Sequence, residues 1–466
     1  MNQPNSHCHS DTIVAIATGQ GKGGVGIVRL SGSRSLHIAK QICGKDLDPR
    51  TATFSAFSTP SGDKREKIDE GIALFFPGPN SFTGEDVVEL QAHGGPIVLS
   101  LLVDTCIQLG ARSASPGEFS ERAFLNDKMD LTQAEAIADL IDASTKTAAR
   151  AAARSLEGVF SKRVNDLQQK LTEIRVFVEA AIDFPEEEID FLKDQELQDR
   201  IADFQSLLQE TSVEASRGAM LNEGAKVAIV GRPNAGKSSL MNCLARRDIA
   251  IVTDIAGTTR DSIEQKIELR GIPITLVDTA GLNDNPDQVE EIGIQRSMSH
   301  AADADLVLIV FDSTQISDSQ LDDQNLKTNI LGEFSEIVHS DQPTIYVANK
   351  IDLSQLPSGR HNQDSKLIGL SAKSDIGIDL LLEEIATSLD IYASVPLFSA
   401  RSRHLTSLNQ STEQLQAAID HFHLHASGEL FAEDLRTIQH SLSDITGSIS
   451  ADDLLGEIFS NFCIGK

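Results

Sequence analysis

Apolar residues along this chain follow two rhythms, and the points where one gives way to the other divide it. From 12 to 120 the apolar runs are short, rich in β-branched residues and punctuated by glycine and proline, which predicts a mixed α and β region. Residues 12–17 and 26–30 read as strands on either side of the glycine-rich stretch 19–24. That stretch leads into a β-branched run rather than a helix, so a hairpin crossing or a loop closing over a ligand fits it better than a dinucleotide fingerprint. Residues 71–76 form a further strand ending at the turn cluster Pro77-Gly78-Pro79-Asn80, 87–91 another, and 95–109 a helix, followed by a loop at Ser115-Pro116-Gly117. From Leu131 the period becomes helical: Ala134, Ile137, Ala138 and Ile141, then Leu167, Leu171, Ile174 and Val178. These are long helices suited to antiparallel packing. The acidic run at 184–188 interrupts them; with no His or Cys nearby it reads as a solvated connection rather than a metal site, and another helix follows over 194–221. Between 224 and 386, strand-like runs (226–230, 262–269, 274–278, 306–311, 344–348 and 367–370) alternate with helical ones, the pattern of an α/β unit with a mainly parallel sheet. Helical spacing returns over 400–466, at Leu405, Leu408, Leu415 and Ile419 and again at Leu435, Ile438, Leu442 and Ile445. The simplest arrangement packs these last helices with those of 131–222 and inserts the α/β unit between them.

Composition leaves that picture in place and narrows the chemistry. A length of 466 residues suits about three domains, and an apolar fraction of 40% is enough for ordinary cores. With 40 basic and 69 acidic residues the net charge is −29, so the chain has no broad electrostatic footprint for nucleic acid. Trp is absent and Tyr occurs twice, which argues against a large base-stacking platform. Any nucleic-acid substrate needs a local basic patch or a basic partner. The five cysteines (Cys8, Cys43, Cys106, Cys243 and Cys463) contain no CxxC pair, which points to a reducing compartment without a disulfide framework or zinc site. No apolar run spans a bilayer, and Met1-Asn2-Gln3-Pro4-Asn5 lacks the basic and apolar parts of a signal peptide. The expected setting is cytoplasmic, with no membrane.

The densest chemistry lies in the α/β unit. After the apolar run Val227-Ala228-Ile229-Val230 comes Gly231-Arg232-Pro233-Asn234-Ala235-Gly236-Lys237-Ser238, the spacing of a P-loop, with Ser239 next. Its glycines let amide N–H groups cradle phosphate oxygens at a helix N-terminus. Lys237 neutralises the outer phosphates and Ser238 holds magnesium. Asp278-Thr279-Ala280-Gly281 closes the strand at 274–278, where a carboxylate can hold the magnesium water shell and Gly281 can offer its N–H to a γ-phosphate. In Asn349-Lys350-Ile351-Asp352 the aspartate can accept from the N1 and N2 groups of guanine, a donor pair adenine lacks, so the site selects GTP. Ser371-Ala372-Lys373 can reach the guanine oxygen through a backbone amide. The position after the D-T-A-G tetrapeptide, where small regulatory GTPases carry a water-orienting Gln, is Leu282. An arginine finger is one substitute and a monovalent cation another. Asn234 could ligate potassium beside the phosphates, with carbonyls of the loop Thr253-Asp254-Ile255-Ala256-Gly257-Thr258-Thr259 completing the shell and Thr259 on magnesium. Otherwise Asn234 only braces the loop.

G-R-P-N-A-G-K-S, the switch T-D-I-A-G-T-T-R-D at 253–261 and the terminal Phe462-Cys463-Ile464-Gly465-Lys466 together resemble the tRNA-modification GTPases of the MnmE (TrmE) family. The stretches at 76–86, 117–128 and 451–459 are similar to its other signatures, so the resemblance covers nearly the whole chain. It implies an α/β and α+β multidomain fold: a P-loop GTPase domain inserted in an all-α domain, preceded by a folate-binding α+β domain similar to aminomethyltransferases. The implied boundaries are 1–127 for the folate-binding and dimerisation domain, 128–222 and 387–466 for the helical domain, and 223–386 for the GTPase domain. The implied activity is GTP hydrolysis stimulated by potassium through pairing of GTPase domains in a homodimer. With MnmG (GidA), a FAD-containing partner, the family forms a carboxymethylaminomethyl group at C5 of the wobble uridine of certain tRNAs. The one-carbon unit comes from 5-formyl- or 5,10-methylene-tetrahydrofolate. Carried over by motif, potassium falls to Asn234, Thr253, Ile255 and Thr258, and magnesium to Ser238 and Thr259. A water-positioning glutamate falls to Glu290, twelve residues past Asp278. Folate falls to Arg29, Glu89, Lys128 and Lys466, whose charges suit a pterin and a glutamyl tail. Cys463 either acts in redox or nucleophilic chemistry near the folate or packs as a small apolar group; family grounds make it a catalytic candidate. The rival reading is a GTP-switched binding module, such as a ribosome-assembly factor, without one-carbon chemistry; the absence of an evident basic appendage weighs against it.

Overall fold

The computed structural model describes residues 11–19, 21–59, 65–183, 195–247, 264–278, 304–315, 342–354, 356–360, 366–391, 396–425, 427–447, 456, 458–460, 462 and 465. The chain forms two compact units. One comprises Met1–Ala138, Leu156–Phe204 and Gln410–Lys466, the other Asp139–Ser155 and Gln205–Asn409.

The first unit is built on six strands: β1 (Ile13–Ile16), β2 (Gly23–Ser31), β3 (Thr53–Ser58), β4 (Lys67–Phe76), β5 (Val87–Gly94) and β6 (Arg112–Ser113). They lie in the order β3-β4-β5-β2-β1-β6. All pairings are antiparallel except β1 with β6. The glycine-rich stretch is thus a hairpin crossing, and β2 starts inside it at Gly23, with a register shift between Gly23 and Gly26. Alternation gives the sheet two faces. Val14, Val28, Leu30, Val88 and Leu90 meet helices α1 (Ser35–Cys43) and α2 (Pro96–Gln108) through Ile38, Ile42, Leu99 and Leu102. On the other face Ile13, Ala15, Ala114 and Phe119 cluster with Phe82. Phe119 comes from α3 (Glu118–Leu125). Three helices follow, α4 (Leu131–Asp142), α5 (Lys146–Leu156) and α6 (Val159–Asp183), and then α7 (Gln195–Glu223). The acidic run at 184–188 lies outside the described residues.

The second unit holds seven strands: β7 (Ala225–Val230), β8 (Glu264–Leu269), β9 (Ile272–Asp278), β10 (Leu306–Asp312), β11 (Thr344–Asn349), β12 (Gly359–Arg360) and β13 (Leu367–Gly369). Their order is β12-β13-β11-β10-β7-β9-β8. The inner five run parallel and the two edge strands antiparallel, as the mainly parallel reading requires. Helix α8 (Lys237–Arg247) follows β7 and α9 (Ile378–Ser388) follows β13. The inner strands are almost wholly apolar and buried; on one face Val227, Ile229, Leu276, Leu308 and Val347 pack against Leu240 and Leu244 of α8 and Leu381 and Ile385 of α9. Near the C-terminus run α10 (Ser402–His425) and α11 (Gly428–Thr446); within the first unit α11 packs along α6, where Gln168 Nε2 donates to Ser443 Oγ at 3.2 Å. Among the described residues no helix is long and apolar enough to cross a membrane.

Candidate nucleotide-binding site

In an open parallel sheet, ligands bind outside the carboxyl ends of the strands. Here β7, β9, β10 and β11 end at Val230, Asp278, Asp312 and Asn349. The loop after β7 passes so close under β10 that a Cβ on Gly231 would run into the Val310 carbonyl oxygen. Asn234 has φ 63° and Gly236 φ 93°, which turn the backbone back toward its own start. A side chain on Gly236 would strike Asn349 Nδ2. Lys237 then opens α8. Its buried ammonium donates to the carbonyl oxygens of Gly231 at 2.9 Å and Arg232 at 3.1 Å, so it is folded into the loop it serves. Burial lowers its pKa, against the pull of the Asp278 charge. Ser238 Oγ donates to Asp278 Oδ2 at 3.0 Å. The other carboxylate oxygen of Asp278 is buried with no hydrogen-bond partner among the described residues. Burial raises the pKa of Asp278, outweighing the Ser238 hydrogen bond and the Lys237 charge. A buried carboxylate with one orphaned oxygen, beside a serine hydroxyl, fits a divalent cation or its bound water.

The base side is assembled from three strand ends. Asn349 Nδ2 donates to the Ala235 carbonyl at 3.0 Å, while its Oδ1 accepts from the amides of Lys350 at 2.8 Å and Ala372 at 3.1 Å. One buried amide therefore ties the P-loop, the N-K-I-D turn and the S-A-K turn together. Of the three amides at 371–373, Ser371 donates to Ile376 and Ala372 to Asn349, which leaves that of Lys373 open to a ligand. Lys350 Nζ donates to the Asn234 carbonyl and to Asp312 Oδ2, both at 2.7 Å. Burial works to raise the pKa of Asp312, but the bonds from Lys350 and Thr314 prevail and hold it below the usual carboxylate range. Ser371 Oγ donates to Asp352 Oδ1 at 2.6 Å and leaves the second oxygen available. Gly236, Ser239, Asn349, Lys350, Asp352, Ser371, Ala372 and Lys373 line one cavity of about 690 Å³. Asn242, Cys243, Arg246 and Asp375 line it too, and sequence reasoning missed them. The signal was present: 239, 242, 243 and 246 share one face of the helix that follows the P-loop. Thr253, Asp254, Ile255, Ala256, Gly257, Thr258, Thr259, Thr279, Ala280, Gly281, Leu282 and Glu290 lie outside the described residues.

In the first unit, Arg29 and Glu89 face each other across β2 and β5. Arg29 donates from Nε at 3.1 Å and from its terminal nitrogen at 2.9 Å, both to Glu89 Oε1. The guanidinium lies 5.2 Å from the Phe82 ring centre and 5.8 Å from that of Phe119. Glu89 Oε2 has no partner among the described residues. Lys128 is exposed, and its methylenes would meet a Cβ on Gly84 at 3.4 Å. Lys466 and Cys463 lie outside the described residues. Their neighbour Gly465 is buried, so close to β1 that a Cβ there would run into the Ile16 carbonyl oxygen.

The MnmE helical domain family matches residues 131–463, and the family described as GTP-binding protein TrmE N-terminus matches 12–128. The tRNA modification GTPase MnmE of Marinomonas sp. (strain MWYL1) is 50% identical over 458 residues, 98% of each chain. That of Ectopseudomonas mendocina (strain ymp) is 51% identical over 459 residues, covering 98% of this chain and 99% of its own. This chain belongs to the MnmE family. Among solved structures, a variant of Aquifex aeolicus Era bound to GDP·AlF4− is 24% identical and covers 41% of this chain and 66% of its own, with a TM-score of 0.27. That likeness is too slight to build on, and the GTPase character of this MnmE-family chain rests on its own P-loop, its base-side turns and its full-length relatives.

Proposed function

We propose that this MnmE-family GTPase acts on tRNA, installing a carboxymethylaminomethyl group at C5 of the wobble uridine together with MnmG, its FAD-containing partner. One observation carries the nucleotide half of this reading. Asn349 binds the P-loop and both base-side turns at once, so the phosphate cradle and the guanine-selecting Asp352 belong to one cavity. For GTP to enter, Lys237 must leave the Gly231 and Arg232 carbonyls for the outer phosphates, an exchange of neutral acceptors for anionic ones. Ser238 and Thr259 would hold magnesium, with the orphaned oxygen of Asp278 on its water shell; bound there, the ion supplies positive charge to the β- and γ-phosphates. Asn234, Thr253, Ile255 and Thr258 would hold potassium, which supplies positive charge where the transition state develops it. The side-chain amide of Asn234 has no partner among the described residues, which supports that role. Glu290 is assigned to position the attacking water, in place of the Gln that Leu282 replaces.

The one-carbon half of the reading assigns Arg29, Glu89, Lys128 and Lys466 to tetrahydrofolate. Glu89 can offer Oε2 to the donors of a pterin while Arg29 keeps Oε1 fixed. Cys463 is assigned to the same chemistry, and the three-part division at 127, 222 and 386 and the homodimer complete the proposal. Mass spectrometry of tRNA from a deletion strain tests it: the carboxymethylaminomethyl group should vanish from wobble uridines and return when the gene is restored. Unchanged wobble uridines would refute the modification and leave a GTPase of another purpose.

A further inference from the structure

Four residues along β5 from Glu89, His93 forms a pair with Asp69 of β4 that the proposed function does not use. His93 and Glu89 are both on β5, four residues apart, so their side chains leave the same face about 13 Å apart. His93 is held by Asp69 of β4 at two points. Its backbone N–H donates to Asp69 Oδ2 at 2.8 Å, and its Nδ1 lies 2.9 and 3.1 Å from the two carboxylate oxygens. The Asp69 side chain is only 13% exposed and that of His93 is 71% exposed. Burial works to raise the pKa of Asp69, but its hydrogen bonds from His93 and the Glu70 backbone prevail and keep the carboxylate ionised. An ionised acceptor at Nδ1 places the ring proton there in the neutral imidazole, so Nε2 carries a lone pair. Nε2 has no partner among the described residues. The backbone beside His93 is closely packed: a Cβ on Gly94 would meet the Gly23 and Val25 carbonyl oxygens at 2.7 and 2.8 Å.

We propose that His93, oriented by Asp69, is a proton-transfer group for a nitrogen substrate bound on this sheet face, next to the Arg29–Glu89 pair. A base fixed at one nitrogen by a buried carboxylate, with the other nitrogen turned outward, is the arrangement that general acid–base catalysis requires. The inference rests on the one-carbon reading for the identity of the substrate, an amine that takes up a carbon unit. As the amine nitrogen bonds to that carbon, one of its protons passes to Nε2, and Asp69 stabilises the imidazolium. From a formyl carrier, whose carbon is held by one N–C bond, Nε2 would return the same proton to the carrier nitrogen as that bond breaks. The imidazole ends neutral, and no other reagent is consumed. The separation from Glu89 leaves room for a fused-ring ligand between carboxylate and imidazole. The other charged groups on the neighbouring strands are the Lys67–Glu70 ion pair on β4, Lys22 just ahead of β2, and Arg29 of β2 with Glu89.

The test uses the full chain with its FAD-containing partner, comparing wild type with His93→Gln, His93→Gly and Asp69→Asn. His93→Gln should slow modification about 100-fold. Its GTP hydrolysis should stay within twofold, and its affinity for 5-formyl-tetrahydrofolate by calorimetry within threefold. Added imidazole should restore part of the rate to His93→Gly and none to His93→Gln. In the wild type, ring-nitrogen NMR should show the Nδ1–H tautomer, and in Asp69→Asn the acidic limb of the rate profile should move to lower pH. Full-rate modification by His93→Gln, or a wild-type ring in the Nε2–H tautomer, overturns the proposal. Failure of the wild type to bind 5-formyl-tetrahydrofolate strikes the one-carbon reading instead, and the imidazole rescue still decides the role of His93.

Discussion

The proposed choice of guanine turns on a single carboxylate, Asp352. One of its oxygens is committed to the Ser371 hydroxyl, so the side chain is already oriented before a base arrives. Asp352→Asn would place an N–H2 donor where guanine presents donors. GTP affinity should fall about 100-fold while xanthosine triphosphate gains, a reversal that competition with a fluorescent nucleotide would measure. Retained preference for GTP would mean that another group reads the base. Glu118 makes the corresponding case for stability. It is 4% exposed and accepts from Arg112, from Arg122 and from the Ser115 amide. Burial works to raise its pKa, but these bonds prevail and depress it below the ordinary 4.5. A depressed carboxylate contributes stability that is present above its unfolded pKa and lost as pH falls through the folded value. Glu118→Gln should therefore lower unfolding free energy by about 3 kcal/mol at pH 7. Denaturant titrations should show the gap narrowing below pH 4.5; a constant gap down to pH 3 would separate the ion pair from the acid sensitivity. Asp352 was legible in the sequence because its motif is four residues long. Arg122, wholly buried among Asp11, Glu85 and Glu118, was not, since its partners lie as much as 111 residues away.

The hairpin of β8 and β9 joins two places in the second unit. Its far end is Asp278, on Ser238. Its tip, Arg270-Gly271, has both φ angles positive (52° and 89°), and Thr145 Oγ1 donates to the Gly271 carbonyl at 2.8 Å while capping α5 through the Ala148 amide at 3.0 Å. A Cβ on Gly271 would meet Thr147 Oγ1 at 2.5 Å. Gly271→Ala should cost about 1–3 kcal/mol, seen as a lower thermal midpoint, and should raise the GTP dissociation constant by shifting Asp278. Unchanged nucleotide affinity in the destabilised variant would show that the hairpin transmits nothing to the site. Periodicity revealed both strands but not this contact. A strand advertises itself by alternation, whereas a turn lodged against a helix cap has no local signature. For the same reason the short strand β3 and the helix α1 went unread while the inner strands of the second unit, apolar from end to end, did not.

At the scale of the molecule the net charge is −29, while the lining of the nucleotide cavity includes Arg246, Lys350 and Lys373. If Asn234 and the loop at 253–258 supply a cation site, hydrolysis should run at least about tenfold faster in potassium than in sodium at equal ionic strength. Asn234→Ala should erase the difference while keeping GTP binding. Equal rates in the two salts would point to an arginine finger instead. The motifs alone single out the P-loop and the N-K-I-D and S-A-K turns, since each sits at a strand end where a short pattern is enough, and residues of all three line this cavity. The shared helix face of Asn242 and Arg246 was present in their spacing, but its meeting with Asp375 emerged only from folding, which brings together segments more than a hundred residues apart.

Gly465 lies against the carbonyl of Ile16, and the first compact unit draws on three separated stretches of chain. Translation makes β1 long before its partner at Gly465, on the order of half a minute to a minute and a half apart. For that interval the Ile16 carbonyl at the end of β1 is without this neighbour, although β2 and β6 already flank the strand. Residues that leave the ribosome far later thus complete the packing that β1 begins.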